Sequence, residues 1–298
     1  MINDLINNLS KLNLVADSQD EVYKLLTGIK GIGFIQMNLH PGKIIVRARP
    51  NDRDNSFTIR PELSYKPQQF NNTFQRASTP NQTMFYGGVV PEVLSSDEIA
   101  NLRIAPLYET SKLIREDLDG EEIITFSKWL VTDDINMLAI CYHDDFVNVS
   151  SHTKELNQAY LNFLESTDKQ TQSDSLSFTT FLASEYAKDV SFKDSHFNYM
   201  ISAAFADLTV RSGLDGIYYP SVKAAGMGFN VAITPNAVDS CLRLVGASEC
   251  TLYKKGKNMF VDNETTVDIE DDTKEFKLLP INAQYHHGKD ACRKHVGL

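Results

Sequence analysis

Arg76 and Tyr86 are the first residues along the chain whose types and spacing could do chemistry. The arginine lies in Phe74-Gln75-Arg76-Ala77-Ser78-Thr79-Pro80, and the tyrosine in Met84-Phe85-Tyr86-Gly87-Gly88. An arginine presents a planar fork of donors that matches a phosphate. A tyrosine offers a ring face for stacking and a hydroxyl for a hydrogen bond, and a glycine after it lets a ligand approach the backbone. The pair therefore suits an anionic ligand that also carries a ring. Taken by itself it also fits a surface arginine and a core tyrosine. A second segment runs Gly213-Leu214-Asp215-Gly216-Ile217-Tyr218-Tyr219-Pro220-Ser221 and continues through Lys223-Ala224-Ala225-Gly226-Met227-Gly228 into Phe229-Asn230-Val231-Ala232-Ile233. Ser221 would stand just past a buried strand and before a glycine-rich loop, where it could face a cleft. It lacks the Gly-x-Ser-x-Gly elbow of hydrolases, so a hydrogen-bonding role suits it better than a nucleophilic one. An ordinary loop serine is the plainer alternative.

The elements that must position these residues read as a mixture of helices and strands. Leu5, Ile6, Leu9 and Leu12 recur at helical spacing, and a second short helix is expected from Ser18 to Leu26, so the first forty or so residues read as a helical preface. Gly28, Gly31 and Gly33 lie close together, but no strand precedes them and the Lys-Ser/Thr pair of a phosphate loop is missing, so they mark a helix stop and turn. Strand pattern begins at Lys43, and a polar Pro- and Asn-rich loop follows to about Pro80. Strands are expected at Thr83–Tyr86 (ending in Gly87-Gly88), Ile123–Leu130, Ile135–Cys141, Gly216–Tyr219, Phe229–Ile233 and Leu242–Tyr253. Helices are expected at Ile104–Arg115, Thr153–Leu164, Phe178–Tyr186 and His196–Val210. Asp194 or Ser195 would cap the last of these and Gly213 would end it. Residues Glu165–Ser175 read as a surface loop. This order is neither a strict βαβ series nor a sandwich series, and it predicts an α+β fold with a mixed or mainly antiparallel sheet.

In their order along the chain, these segments resemble the RES domain, a family named for its Arg, Glu and Ser. The resemblance covers about Lys43 to Leu244. An arginine-rich strand opens it, Val46-Arg47-Ala48-Arg49-Pro50, and Arg76 precedes the strand that carries Tyr86. Glu109, in Tyr108-Glu109-Thr110-Ser111, matches the glutamate of the following helix, and Asp215 to Ser221 with Asn230-Val231-Ala232 match the last and most specific motif. One departure lies between the tyrosine and the glutamate. Val89 to Leu102 reads as an insertion, which makes Glu98 a rival of Glu109.

The resemblance implies an ADP-ribosyltransferase-like core, a mixed split β-sheet flanked by helices, with NAD as substrate. It assigns residues 43–245 to the RES domain, 1–42 to an N-terminal helical segment packed on it and 246–298 to a C-terminal extension. It further implies cleavage of the nicotinamide–ribose bond, with inorganic phosphate or water as acceptor. Such enzymes are typically the toxin of a toxin–antitoxin pair, so a cognate antitoxin protein is an expected partner. Arg76, Tyr86, Glu109 and Ser221 would be the catalytic set; Arg47, Arg76, Tyr86 and Asn230 would hold NAD. Lys223 would help to draw in an anionic acceptor, although a solvated lysine is the simpler reading. A mono-ADP-ribosyltransferase acting on a protein, and a non-catalytic relative that binds a nucleotide or a partner, are the alternatives.

Composition narrows the field. The chain has 298 residues, 42% hydrophobic and 23% charged, with a formal net charge of −10, whereas a nucleic-acid binder would show a basic face. No long apolar run predicts a membrane span, and the start MINDLINNLSKLNL does not read as a secretory signal. A cytoplasmic enzyme with free thiols is expected from Cys141, Cys241, Cys250 and Cys292. No metal is called for: His286, His287, Cys292 and His295 match no closed zinc spacing and read as a flexible tail. Asp117-Leu118-Asp119-Gly120-Glu121-Glu122 lacks the ligand series of a calcium loop and reads as a turn. Asp144-Asp145 and the run from Asp268 to Glu275 read as solvated charge, and Trp129 as core.

Overall fold

The computed structural model describes residues 2–52, 55–90, 104–141, 151–190, 195–221, 228–270, 274–282 and 287–298. The chain opens with helices α1 (Ile2–Lys11) and α2 (Gln19–Thr27), strands β1 (Ile35–Leu39) and β2 (Ile44–Pro50), a one-turn helix α3 (Arg60–Leu63) and strand β3 (Phe85–Val89). Helices α4 (Ile104–Thr110) and α5 (Lys112–Arg115) precede strands β4 (Gly120–Val131) and β5 (Ile135–Ala139). Helices α6 (Ser151–Glu165), α7 (Lys169–Ala187) and α8 (Met200–Arg211) lead to strands β6 (Gly216–Pro220) and β7 (Phe229–Ile233). The chain ends with α9 (Pro235–Cys241), β8 (Leu242–Lys255), β9 (Asn258–Asp268), β10 (Leu279–Pro280) and α10 (Lys289–Val296).

Two compact units share these elements. The first comprises Met1–Leu39, Lys66–Tyr86 and Asp134–Val238; the second comprises His40–Tyr65, Gly87–Asp133 and Asp239–Leu298. In the first unit β1 runs antiparallel to β5, β5 parallel to β6, and β6 antiparallel to β7. Its core gathers Leu9, Val22, Leu182, Met200 and Ala203 from the helices with Ile217, Tyr219 and Ala232 from the strands. The stripe Leu5, Ile6, Leu9 and Leu12 lies on this core as its spacing predicts. In the second unit β3, β2, β4, β8, β9 and β10 follow one another in antiparallel pairing. Ala48, Ile124, Phe126 and Leu252 fill its core beneath Leu113 of α5. The class is therefore α+β with mixed pairing. Among the described residues no helix is long and apolar enough to cross a membrane.

Several elements depart from the sequence pattern, each for a physical reason. The helical preface contains β1, whose Ile35-Gln36-Met37-Asn38-Leu39 alternates apolar and polar residues over only five positions, a run short enough to pass for the end of the helical segment. The expected loop Glu165–Ser175 is mostly helix. Asp168 accepts from the amides of Gln170 and Thr171 and so starts α7, a cap that its polar surroundings disguise. The single helix expected over Ile104–Arg115 breaks at Ser111. There the serine side chain caps α5 by accepting from the Ile114 amide, while the Glu122 carboxylate takes the Ser111 hydroxyl and the Lys112 amide. Strand β3 starts at Phe85 and carries Gly87-Gly88 inside it. The tail is not loose either: α10 buries Cys292 and Val296, one turn apart, against Tyr253. The turn before β4 stands as expected, with Asp117 bonded to Lys254 Nζ at 2.7 Å and Asp119 to the Gly256 amide at 2.7 Å. Trp129 is fully buried.

The Asp215-Gly216-Ile217 segment has a structural explanation of its own. The Asp215 carboxylate accepts from the Asn136 amide (2.9 Å), its amide donates to the Asn136 carbonyl (2.7 Å), and its carbonyl accepts from the Thr234 amide (2.8 Å). It thereby fixes β6 between β5 and β7. A Cβ on Gly216 would stand 2.1 Å from the Ala232 carbonyl oxygen, a clash with backbone that no side-chain rotation relieves. Gly216→Ala should cost about 3 kcal/mol of stability in urea unfolding; a cost below about 0.5 kcal/mol would contradict this packing.

Candidate functional site

Arg76 and Tyr86 come together because the segment between them is folded on itself. Gln75 and Ser78 exchange backbone hydrogen bonds (2.8 and 3.2 Å), which makes Arg76 and Ala77 the tip of a tight turn. Asn71, fully buried, staples the base of this loop. Its Nδ2 donates to the carbonyls of Thr79 (2.8 Å) and Gln82 (3.0 Å), and its own carbonyl accepts from the Asn81 amide at 2.6 Å. Asn81 adopts φ +63°, a left-handed conformation that asparagine tolerates. A folded Asn71 is thus no acceptor for a glycan, although it begins an N-x-Thr triplet.

The stapled loop turns Arg76 inward. Its guanidinium donates to the carbonyl of Tyr186, next to the C-terminus of α7. Carbonyls at a helix C-terminus lack helical partners and carry partial negative charge, so a cation is favoured there. The guanidinium carbon also lies 5.2 Å from the centroid of the Tyr199 ring, within the range of a cation–π attraction. The Tyr186 ring packs 5.3 Å from that of Tyr219 on β6 and donates its hydroxyl to the Ser202 carbonyl at 3.1 Å.

Tyr86 is tied to the same loop from the other side. Its hydroxyl oxygen receives the Ala77 amide at 3.0 Å and lies 2.8 Å from Ser78 Oγ. Burial pushes its hydroxyl up to about 12, against the pull of the Ser78 and Ala77 hydrogen bonds and of the Arg76 charge. Burial likewise raises Tyr186 well above the ordinary phenol range. Both phenols therefore keep their protons at neutral pH.

Ser221 and Asn230 sit on the β6–β7 pair of the same unit. Side chains alternate along a strand, so Ser221 shares the Tyr219 face of β6, and Asn230 stands directly opposite Tyr219 on β7. Both are buried, and the Ser221 amide donates to the Gly228 carbonyl at 2.8 Å, just past the paired ends of β6 and β7. On the opposite face Tyr218 stacks on Phe229 (4.6 Å) and bonds to His152 at 2.8 Å. The structure thus ties Tyr86 of β3 to the loop that carries Arg76, and joins Arg76 through Tyr186 and Tyr219 to the face that carries Ser221 and Asn230.

The remaining candidates belong to the second unit. Glu109 lies half-buried near the end of α4, where its carbonyl accepts from Arg115 at 3.5 Å. Arg47 lies on β2 opposite Ser127 of β4, whose hydroxyl donates to the Arg47 carbonyl at 3.3 Å. Glu98, Lys223, Asp194, Asp144, Asp145 and His286 fall outside the described residues. Among those described, no group of three or more His, Cys, Asp or Glu could hold a metal ion. Burial, with Asp262 beside it, pushes the Cys292 thiol up to about 11, which disfavours the thiolate that a metal would need.

Sequence reasoning missed Asn71, Ser78, Tyr186 and Tyr199. The last two sit at a helix C-terminus and in a short 3₁₀ turn, where no period marks a tyrosine as functional. Asn71 gave one signal, its place in a loop rich in Asn, Gln and Thr, residues whose side chains bond to nearby backbone.

The raised tyrosines set an alkaline limit. The unfolded phenol loses its proton near pH 10, whereas folded Tyr86 holds it to about 12. Its contribution is therefore complete below about pH 10 and is lost as the pH rises towards 12. Urea unfolding at about pH 9 and about pH 11 should show a smaller loss of stability in Tyr86→Phe than in the wild type; an undiminished loss would contradict the buried phenol.

No protein-family model matches the chain, and no curated protein matches it; a role for this cluster rests on its own residues and on the resemblance of its motifs.

Proposed function

We propose that the chain is an NAD-consuming enzyme of the RES-domain type, with an ADP-ribosyltransferase-like core, that cleaves the nicotinamide–ribose bond. The observation that carries this reading is the stapled loop of Arg76, to which Tyr86 of β3 is bonded, beside the face of β6 and β7 that bears Ser221 and Asn230. A dinucleotide offers the matching chemistry: a pyrophosphate for the guanidinium, rings for the aromatic faces and ribose hydroxyls for the buried serine and asparagine.

In this reading the bond between ribose C1′ and the nicotinamide nitrogen breaks, and its electron pair leaves with neutral nicotinamide. The ribose is left with oxocarbenium character, and phosphate or water then adds at C1′. Glu109 is the carboxylate that the resemblance assigns to stabilise that positive charge. Arg76, assisted by Arg47, neutralises the pyrophosphate through charge-assisted hydrogen bonds. Tyr86 packs on the nicotinamide or its ribose, and Ser221 with Asn230 orients a ribose. The same resemblance makes the chain the toxin of a toxin–antitoxin pair, restrained by a cognate antitoxin protein.

The test is release of free nicotinamide from NAD by the purified full chain, with and without inorganic phosphate. Release is expected in the wild type, with Arg76→Ala and Glu109→Gln each slower by about a hundredfold or more. A phosphate requirement would identify a phosphorylase, and release without it a glycohydrolase. No release by folded protein under either condition, or full activity in Arg76→Ala, would overturn the reading. Transfer of labelled ADP-ribose to a protein in lysate would instead favour the transferase.

A further inference from the structure

We infer that His196 is a positioning residue for the Arg76 site, one that holds the arginine loop through its neutral ring and releases it when the ring is protonated. This deepens the reading of Arg76 as the cation of a ligand site and rests on it. The 3₁₀ turn His196–Tyr199 is capped by Ser195, whose hydroxyl oxygen accepts from the Phe197 amide at 3.3 Å. From this turn His196 Nδ1 accepts from the Phe74 amide at 3.3 Å. The rings of His196 and Phe197 lie 5.9 and 6.0 Å from that of buried Phe74, the histidine stacked on it. Further along the turn, the Tyr199 ring lies 5.2 Å from the Arg76 guanidinium carbon. His196 and Tyr199 of one turn thus engage Phe74 and Arg76 of one loop.

A backbone amide can only donate, and this fixes the state of the histidine. Nδ1 must offer its lone pair to Phe74, so the ring is neutral and carries its proton on Nε2. A protonated imidazole donates from both nitrogens. Its Nδ1 hydrogen would meet the Phe74 hydrogen head-on, and the ring would have to turn away. Tyr199 rides on the same turn, so its contact with Arg76 loosens too, and the guanidinium is held less firmly for the pyrophosphate. Histidine is the side chain that changes charge between about pH 5 and 8. The site is therefore assembled at neutral pH and slackens in acid.

Other charged or titratable groups stand on the elements that meet here. Arg76 stays charged, and Tyr86 and Tyr186, raised by burial, keep their protons in acid. Tyr199 is on the turn itself. At the end of α7 stand Glu185, Lys188 and Asp189. Burial raises the Glu185 carboxyl, with Lys188 opposing, which makes Glu185 the rival in the acid range.

Calorimetric titration of the full chain with ADP-ribose at about pH 7.5 and about pH 5.5 tests this, because the pyrophosphate keeps its charge between them while a histidine does not. The wild type should bind about tenfold more weakly at the lower pH. His196→Asn offers a side-chain oxygen near the place of Nδ1 and cannot titrate, so it should rescue binding in acid. His196→Phe keeps a ring on Phe74 without the acceptor and should bind about tenfold more weakly at both values. Glu185→Gln should keep the wild-type pH dependence. A wild type with equal affinity at the two values, a dependence that persists in His196→Asn or vanishes in Glu185→Gln, or undiminished neutral binding by His196→Phe would overturn the inference. A second measurement needs no ligand. In magnetic resonance with isotope-labelled histidine, the His196 signals, assigned by their loss in His196→Asn, should place the ring proton on Nε2 at neutral pH. A proton on Nδ1 would overturn the role of His196 alone, whereas a wild type that binds no ADP-ribose at neutral pH would sink the ligand site and this role with it.

Discussion

A guanidinium enclosed by protein needs oxygen atoms and π-faces in place of water, and the first unit is arranged to supply them to Arg76. Stripping a charge of water is costly unless partners replace it. The Tyr186 carbonyl at the end of α7 and the ring of Tyr199 provide such partners. Both depend on elements far from Arg76 in sequence, so the arginine can be held only after α7, the 3₁₀ turn and the loop are all in place. Asn71 makes the same demand from within the loop by bonding to two of its carbonyls and one of its amides.

This constraint explains why the site is polar yet rigid. Each buried polar group of the loop serves a second one: Asn71 serves Thr79 and Gln82, Ser78 serves Met84 and Tyr86, and Ala77 serves Tyr86. A fully satisfied network specifies one arrangement, because any alternative leaves a donor or acceptor unmatched. The strands contribute in another way. Asp215 and Gly216 allow β5, β6 and β7 to lie close together, and the register of β6 against β7 sets Asn230 opposite Tyr219.

How much of this was legible in the sequence follows from the kind of signal each feature leaves. Long amphipathic helices and apolar strands announce themselves by period, and α6, α8, β4 and β7 lie close to where the pattern puts them. Boundaries set by a single side chain do not: Asp168 starting α7, and Ser111 with Glu122 dividing α4 from α5, act through local hydrogen bonds that leave no periodic trace. The His- and Cys-containing tail misled for a related reason, since two buried residues one turn apart are too few to register as a stripe. In the site, Arg76 and Tyr86 stood out by type and neighbours. Tyr186, Tyr199 and Ser78 did not, because their roles arise from contacts that only the folded chain creates.

The central claim is that Arg76 is held in place as the cation of a site for a dinucleotide phosphate. Calorimetric titration of the purified chain with ADP-ribose, which carries the pyrophosphate and both riboses but cannot release nicotinamide, addresses it most directly. The account predicts saturable one-to-one binding that Arg76→Lys weakens about tenfold or more, since a lysine can reproduce neither the fork of donors nor the planar contact with Tyr199. Absence of binding, or equal binding by the wild type and Arg76→Lys, would contradict it.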